Sequence, residues 1–424
     1  MVDGGDLFWK RGVLSEAELP QALVKADLQV EALTLSGLDA FVPGEGDFAL
    51  GTEATLERLA KLPTLAAGLT CGDTAFDAVR VVERDGVSVA VAGVTDVAPT
   101  GCSASDDPAA VAAAALEGVQ ADVTVAVVHG SIPLGNAVSA LPGVDFVVQA
   151  HGGQKWSSAK AGDPAWLLAA GSRGKTLGVA RLGLRGGQGW VDEGRAEDLD
   201  ERIARYEDRL AKARDQVKSA ADDQVATRAE RQAGFYERKL AELKAEQAAA
   251  AAVDLGEGNT FRLELTDLSR KVADHAGVQA LVDAALPRIA SAEAAPAAPY
   301  DGPFVGSAAC LGCHLEQHAQ WTGTGHARAY AALDAEGRAE DRACFSCHVT
   351  GAHHAAGPQS PVGVPAQLRG VGCESCHGPG GDHVDAPETG RMVQPGLDTC
   401  TTCHDGEQDG GRFEADTYLE RVSH

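Results

Sequence analysis

Apolar residues in the first 192 positions come in short runs: residues 33–35, 87–94, 123–128, 144–148 and 166–169. Runs of this length, rich in Val and Leu, predict buried strands. Residues 55–62 and 108–119 are predicted helices between them. Strands alternating with helices imply a layered sheet with helices packed on it. The period changes after residue 196. Leu199, Ile203, Tyr206, Leu210, Ala213 and Val217 recur at steps of four and three, with charged residues between them. Tyr236, Leu240 and Leu243 resume the stripe after a polar, alanine-rich break at 220–224. This predicts a helical hairpin or a short coiled coil, and the narrow stripe predicts that it projects into solvent. Residues 261–265 alternate as a strand does. Residues 274–289 predict a helix with Val278, Leu281, Val282 and Leu286 on one face and His275 at the surface or as its cap. A Pro/Ala-rich stretch at 293–304 reads as an extended linker. Beyond residue 305 apolar positions thin out, and Gly, Ala and His take their place.

Composition adds a sign. With 36 Lys and Arg against 61 Asp and Glu, the 424-residue chain has a formal net charge of -25. That excludes nucleic acid and anionic membrane surfaces as natural partners. No run of 18 apolar residues is present, so no transmembrane segment is expected.

The chemistry concentrates in the last third. Cys310-Leu-Gly-Cys313-His314, Cys344-Phe-Ser-Cys347-His348, Cys373-Glu-Ser-Cys376-His377 and Cys400-Thr-Thr-Cys403-His404 repeat one pattern within 95 residues. Two thiols three apart can each add to one vinyl group of a haem, and the adjacent His becomes the proximal iron ligand. A pair of zinc sites is the competing reading, but zinc needs no His in register after every Cys pair. Four haem c are therefore expected. Successive motifs start 34, 29 and 27 residues apart, so the haems must crowd together. Of the ten cysteines only Cys71 and Cys102 remain, either paired in an oxidising compartment or as two core thiols. Haem attachment takes place outside the bacterial inner membrane, so a periplasmic or extracytoplasmic location is expected. No signal peptide is visible at Met1, so either it has been removed or, as the motifs near the N-terminus below favour, the expected start of the protein lies upstream.

A second group of polar residues stands at predicted strand ends. Gly5-Asp6 opens the chain, Gly44-Glu45-Gly46-Asp47 follows, His129 closes the run 123–128, and Ala150-His151-Gly152-Gly153 follows 144–148. These motifs resemble, over about 190 residues, the calcineurin-like metallophosphoesterases in the branch of the secreted 5'-nucleotidases. The resemblance implies a layered sheet sandwich and a two-metal hydrolytic site. It implies metal ligation by Asp6, Glu45, His129 and His151 here. Glu45 stands where the family has an Asn ligand, and Gly46 where it has the catalytic His. Gly153 replaces the second His of the last signature, and the first signature, Asp-x-His, is missing. Two-metal hydrolysis is expected to be disabled, with one divalent metal ion as what the remaining ligands can hold.

The stretches Val305-Gly-Ser-Ala-Ala-Cys-Leu-Gly-Cys-His, Trp321-Thr-Gly-Thr-Gly-His326, Cys347-His-Val-Thr-Gly and Gly370-Val-Gly-Cys-Glu-Ser-Cys-His-Gly-Pro-Gly resemble another family. It is the cytochrome family typified by the tetrahaem electron acceptor of hydroxylamine oxidoreductase. The residues themselves offer His318, His326, His353, His354, His383 and His424 as distal ligands, with Met392 as the one sulfur alternative. The resemblance implies that His326 serves the third haem and His383 the first. It leaves the fourth open, and leaves open whether His353 or His354 closes the second.

The expected fold is α/β: a metallophosphoesterase-like domain at 1–195, a helical hairpin insertion at 196–255 and a completing strand and helix at 256–292. The linker at 293–304 then leads to a mostly α or irregular multihaem cytochrome domain at 305–424. The expected function is electron transfer with redox partner proteins, with possible homo-oligomer formation through the hairpin. A phosphoesterase with a redox module, and a haem oxidoreductase acting on a small nitrogen compound, are the competing functions.

Overall fold

The computed structural model describes residues 1–9, 13–151, 155–159, 165–187, 189–219, 223–251, 258–269, 271–292, 299–406 and 412–424. Gly152, Gly153, residues 220–222 of the alanine-rich break and residues 293–298 of the expected linker lie outside the described residues. The chain forms two compact units. One comprises Met1–Lys10, Gly37–Phe48 and Leu59–Ala273, and the other Arg11–Ser36, Ala49–Arg58 and Asp274–His424.

The first unit is mixed α/β with several sheets. Its six-stranded sheet runs Lys155–Ala159, Trp166–Ala170, Phe146–Ala150, Val123–His129, Val87–Thr95, Val79–Arg84. The four inner strands are parallel and the two edge strands antiparallel to their neighbours. Parallel strands are buried on both faces, which explains their near-continuous apolar sequences. Ala92, Val94, Ala126, Val128 and Val147 pack with Ala109 and Ala112 of helix Pro108–Leu116 and Val138 of helix Ile132–Ser139. Val91 and Val127, pointing the other way, pack with Ala40, Val42 and Leu65. A disulfide joins Cys71 to Cys102 across paired strands. Closing a loop of this size contributes roughly 3.5–4 kcal/mol by restricting the unfolded chain.

Helices Arg195–Ser219 and Asp223–Ala251 form the expected hairpin. Leu199, Ile203, Leu210, Ala213, Ala233, Leu240 and Leu243 make its seam. Arg214–Glu237 and Lys244–Glu207, both at 2.7 Å, tie the two helices at the surface. Strand Asn259–Asp267 then joins a three-stranded sheet between Thr176–Gly183 and Trp190–Asp192.

One expectation fails here. Residues 33–35 are not a strand but the last turn of helix Leu19–Leu35. The buried Ala22, Ala26 and Val30 are spaced four apart, a helical stripe that outweighs three apolar residues in a row. This helix belongs to the second unit and packs on helix Ala276–Ser291. His275 caps the latter, its Nδ1 accepting from the Val278 amide at 3.4 Å. Gln21, 2% exposed, donates to the Glu340 carbonyl at 2.7 Å and accepts from the Arg342 amide at 2.9 Å. Lys25 pairs with Asp341 at 2.5 Å, and Asp341 caps helix Arg342–His348. Residues early in the chain thus anchor the helix that carries the second Cys-x-x-Cys-His motif. Side-chain core in the second unit is small, centred on Phe304, Phe345, Val349, Val364 and Leu368.

Candidate haem sites and a candidate metal centre

Each Cys-x-x-Cys-His motif coils locally. His314 and His404 donate backbone N–H to the carbonyls of Cys310 and Cys400, both at 2.9 Å, while the second and third motifs lie on helices Arg342–His348 and Cys373–His377. Residues i, i+3 and i+4 of a helical turn share a face, so the two thiols and the imidazole of one motif are neighbours.

Tertiary structure brings a second imidazole to three of the four. The rings of His314 and His383 are 6.3 Å apart between centres, those of His326 and His404 6.0 Å, and those of His377 and His424 5.8 Å. Metal–imidazole bonds of about 2.0 Å put the centres of two rings sharing one metal roughly 6 Å apart. The proton positions agree. A carbonyl can only accept, so His348, His377, His383 and His424 must donate from Nδ1 to the carbonyls of Ala329, Val393, Gly390 and Val422. Their Nε2 lone pairs remain for a metal. Burial, and then the neighbouring His404, pushes His326 below its usual range, which keeps it neutral and able to ligate.

The expected partner of His326 was His377. The structure instead sets His326 against His404 and sets His424 against His377. No ring packs on His348 among the described residues. His353 points Nε2 at the sulfurs of Cys347 and Cys403, at 4.0 and 3.6 Å, and His354 packs on Phe304. Among the described residues neither ring packs on that of His348. Phe413 and Tyr418 enclose His404, at 5.4 and 5.2 Å.

Motifs also meet one another. Cys310 lies beside Cys373 and Cys347 beside Cys403, so the first motif adjoins the third and the second adjoins the fourth. A cavity of about 630 Å³ opens beside Cys310, His314, His326, Cys373, His377 and His383, and Met392 also lines it. That volume suits a bound cofactor, and its lining supplies thiols for attachment and imidazoles for ligation. The residues present therefore fit haem c.

Residues 309–378 match the family described as cytochrome c554 and c-prime. No curated protein is significantly similar in sequence. Among the solved structures that are similar in part are the following three. Sulfate thiohydrolase SoxB of Thermus thermophilus, in complex with glycerol, is 22% identical over 43% of this chain, with a TM-score of 0.35. The calcineurin-like phosphoesterase YfkN of Bacillus subtilis is 19% identical over 42% of this chain and 69% of its own, with a TM-score of 0.33. A hypothetical protein, also of Thermus thermophilus, is 16% identical over 34% of this chain and 59% of its own, with a TM-score of 0.27. The match spans about a third (35%) of the SoxB chain.

The metal centre lies in the first unit. Strands Val2–Asp3, Val123–His129 and Phe146–Ala150 end close together, His129 in register with Ala150. Their carboxyl ends bring Asp6, His129 and His151 into one group. An Asp6 carboxylate oxygen is 3.7 Å from His129 Nε2 and 3.5 Å from His151 Nδ1. His129 donates from Nδ1 to the Gly4 carbonyl at 2.5 Å, leaving Nε2 toward the group. Asp6 and His151 both hold left-handed backbone, φ 55° and 69°, a strain that clusters at functional sites. Three ligands with an open side fit one divalent ion. Glu45 does not join them: it is exposed and outside the group.

Sequence reading missed the residue that builds this corner. Asp47 is fully buried. It accepts backbone N–H from Gly44, Asp6, Leu7 and Phe8 at 2.8–2.9 Å, binding two loops to one carboxyl group. Burial pushes that carboxyl up to about 7 against the pull of the amides.

Proposed function

We propose that the second unit is a tetrahaem c-type electron carrier working outside the cytoplasmic membrane. The three facing imidazole pairs, each beside a Cys-x-x-Cys-His motif, carry this reading. Bound haem supplies reversible one-electron chemistry at iron. The cysteine pairs would attach it, and the motif histidines would ligate its iron, joined by His383 at the first motif, His424 at the third and His326 at the fourth. Contact between motifs one and three, and two and four, supports electron exchange within the cluster. The Cys71–Cys102 disulfide supports an oxidising compartment. No described helix is long and apolar enough to cross a membrane. The net charge of -25 favours a redox partner with a basic face. Haem-peroxidase staining and a pyridine haemochrome assay of protein made with the maturation machinery should give four haems per chain. Fewer than three would sink the proposal.

The lone His348 favours a second reading, a haem with an open position that binds a small ligand. A high-spin signal by EPR, lost on adding cyanide, supports it, and an all-low-spin spectrum rejects it.

The first unit, in our reading, binds one divalent ion and does not hydrolyse phosphate esters. Asp6, His129 and His151 converge, Glu45 does not, and Gly46 offers no proton donor. Zinc or manganese should bind near one equivalent by calorimetry, and His129→Ala should weaken binding at least tenfold. Robust phosphatase turnover that His129→Ala abolishes would overturn it.

A further inference from the structure

We propose that Glu374 holds down the reduction potential of the haems attached at the first and third motifs. The inference rests on the tetrahaem reading above. Glu374 is the second residue of the third motif, yet its side chain turns inward and is 2% exposed. One carboxylate oxygen accepts from the amides of Gly380 and Val305 at 2.7 and 3.0 Å. The other accepts from Gly306 and Val305 at 2.6 and 3.1 Å. All donors are neutral amides, so both oxygens serve as acceptors. Among the described residues no Lys, Arg or His makes an ion pair with it. The negative charge is dispersed by amide dipoles but not cancelled.

Its place gives this charge a target. Val305 and Gly306 lead into the helical turn Ser307–Cys310 of the first motif, and Gly380 follows the third. Ser307 Oγ accepts from the Cys373 amide at 3.1 Å, and Cys310 lies beside Cys373. Glu374 therefore bridges the backbone of the two adjoining motifs from inside. Two glycines make the bridge possible. Gly306 has φ 87°, a conformation that side chains resist, and a Cβ at Gly380 would meet Glu374 Oε1 at 3.1 Å.

Ferric haem carries one positive charge more than ferrous haem. A buried negative charge nearby stabilises the ferric form, and more strongly where water is excluded. Glu374→Gln removes the charge while keeping length and shape. It also turns an amide donor toward backbone donors, so stability will fall as well. Stability and potential must be read separately.

The test is a spectroelectrochemical titration of full-length holoprotein, wild type against Glu374→Gln, with haem content by pyridine haemochrome. We expect unchanged haem content. At fixed ambient potential, two of the four haems should show a reduced-to-oxidised ratio about tenfold higher, equivalent to about 59 mV for a one-electron couple. Glu374→Asp, which retains the charge, should keep the low potentials even where its melting temperature drops. Equal haem content with potentials unchanged in Glu374→Gln overturns the inference. If Glu374→Gln loses haem, Glu374→Asp and Glu374→Asn are compared, being equal in length and different in charge. Higher potentials in Asn support the inference. Equal potentials, or haem loss confined to the neutral variants, replace it with a purely structural role. A wild type without haem would instead refute the tetrahaem reading.

Discussion

Asp47→Ala lowers the stability of the first unit by roughly 3–5 kcal/mol, because four backbone N–H groups lose their acceptor inside the protein. The amides of Asp6, Leu7 and Phe8 fix the turn after strand Val2–Asp3, and that of Gly44 fixes the facing loop. Freed, the turn no longer holds Asp6 in its left-handed conformation, so metal binding should weaken together with stability. Asp47→Asn, which keeps one acceptor oxygen, should fall between. The deficit should also depend on pH. A carboxyl at about 7 when folded, against 3.8 when unfolded, favours folding most below about pH 4. That contribution fades as pH rises toward 7, so the gap between wild type and Asp47→Ala should narrow over this range. Urea denaturation at pH 4.5, 6 and 7.5 measures both effects. A cost under about 1 kcal/mol, or a gap that widens with pH, would reject this account of the buried carboxyl.

His326→Ala should convert the haem of the fourth motif, not that of the third, to a high-spin species. The two assignments are separable by a double-variant cycle. In a Cys400→Ala/Cys403→Ala background, which lacks the fourth attachment site, His326→Ala should add no high-spin EPR signal. His424→Ala in the same background should add one, since His424 faces His377 across 5.8 Å. His383→Ala should do the same for the first motif. The opposite result, in which His326→Ala still adds a signal without the fourth site, would restore the pairing of His326 with His377.

The Cys-x-x-Cys-His motifs were legible because their chemistry is local. One helical turn suffices to place two thiols and an imidazole together, whatever surrounds it. The strands at 87–94, 123–128, 144–148 and 166–169 were legible for a similar reason, since burial on both faces writes continuous apolar runs into the chain. The hairpin showed in its seam. Helix Leu19–Leu35 was hidden because its stripe is made of small residues, Ala22 and Ala26, and a polar Gln21. That it anchors the second Cys-x-x-Cys-His motif through Gln21 and Lys25 appears nowhere in residue order, as some 320 positions separate the partners.

Which imidazoles face one another was legible only in part: the family resemblance set His383 at the first motif, where its ring faces His314, but set His326 at the third, whereas it faces His404. Six histidines were available as distal ligands, and spacing could not say which would meet His314, His377 or His404. The answer depends on which loops approach. The turn 378–390 brings His383 back to the first motif, and helix Ala415–Val422 brings His424 to the third. The same holds for acids. Glu45, Asp47 and Glu374 look alike as letters. Glu45 stays in water outside the metal group, while Asp47 and Glu374 turn inward and collect backbone amides. An acid's role depends on what it is buried against, and a local pattern carries no record of that.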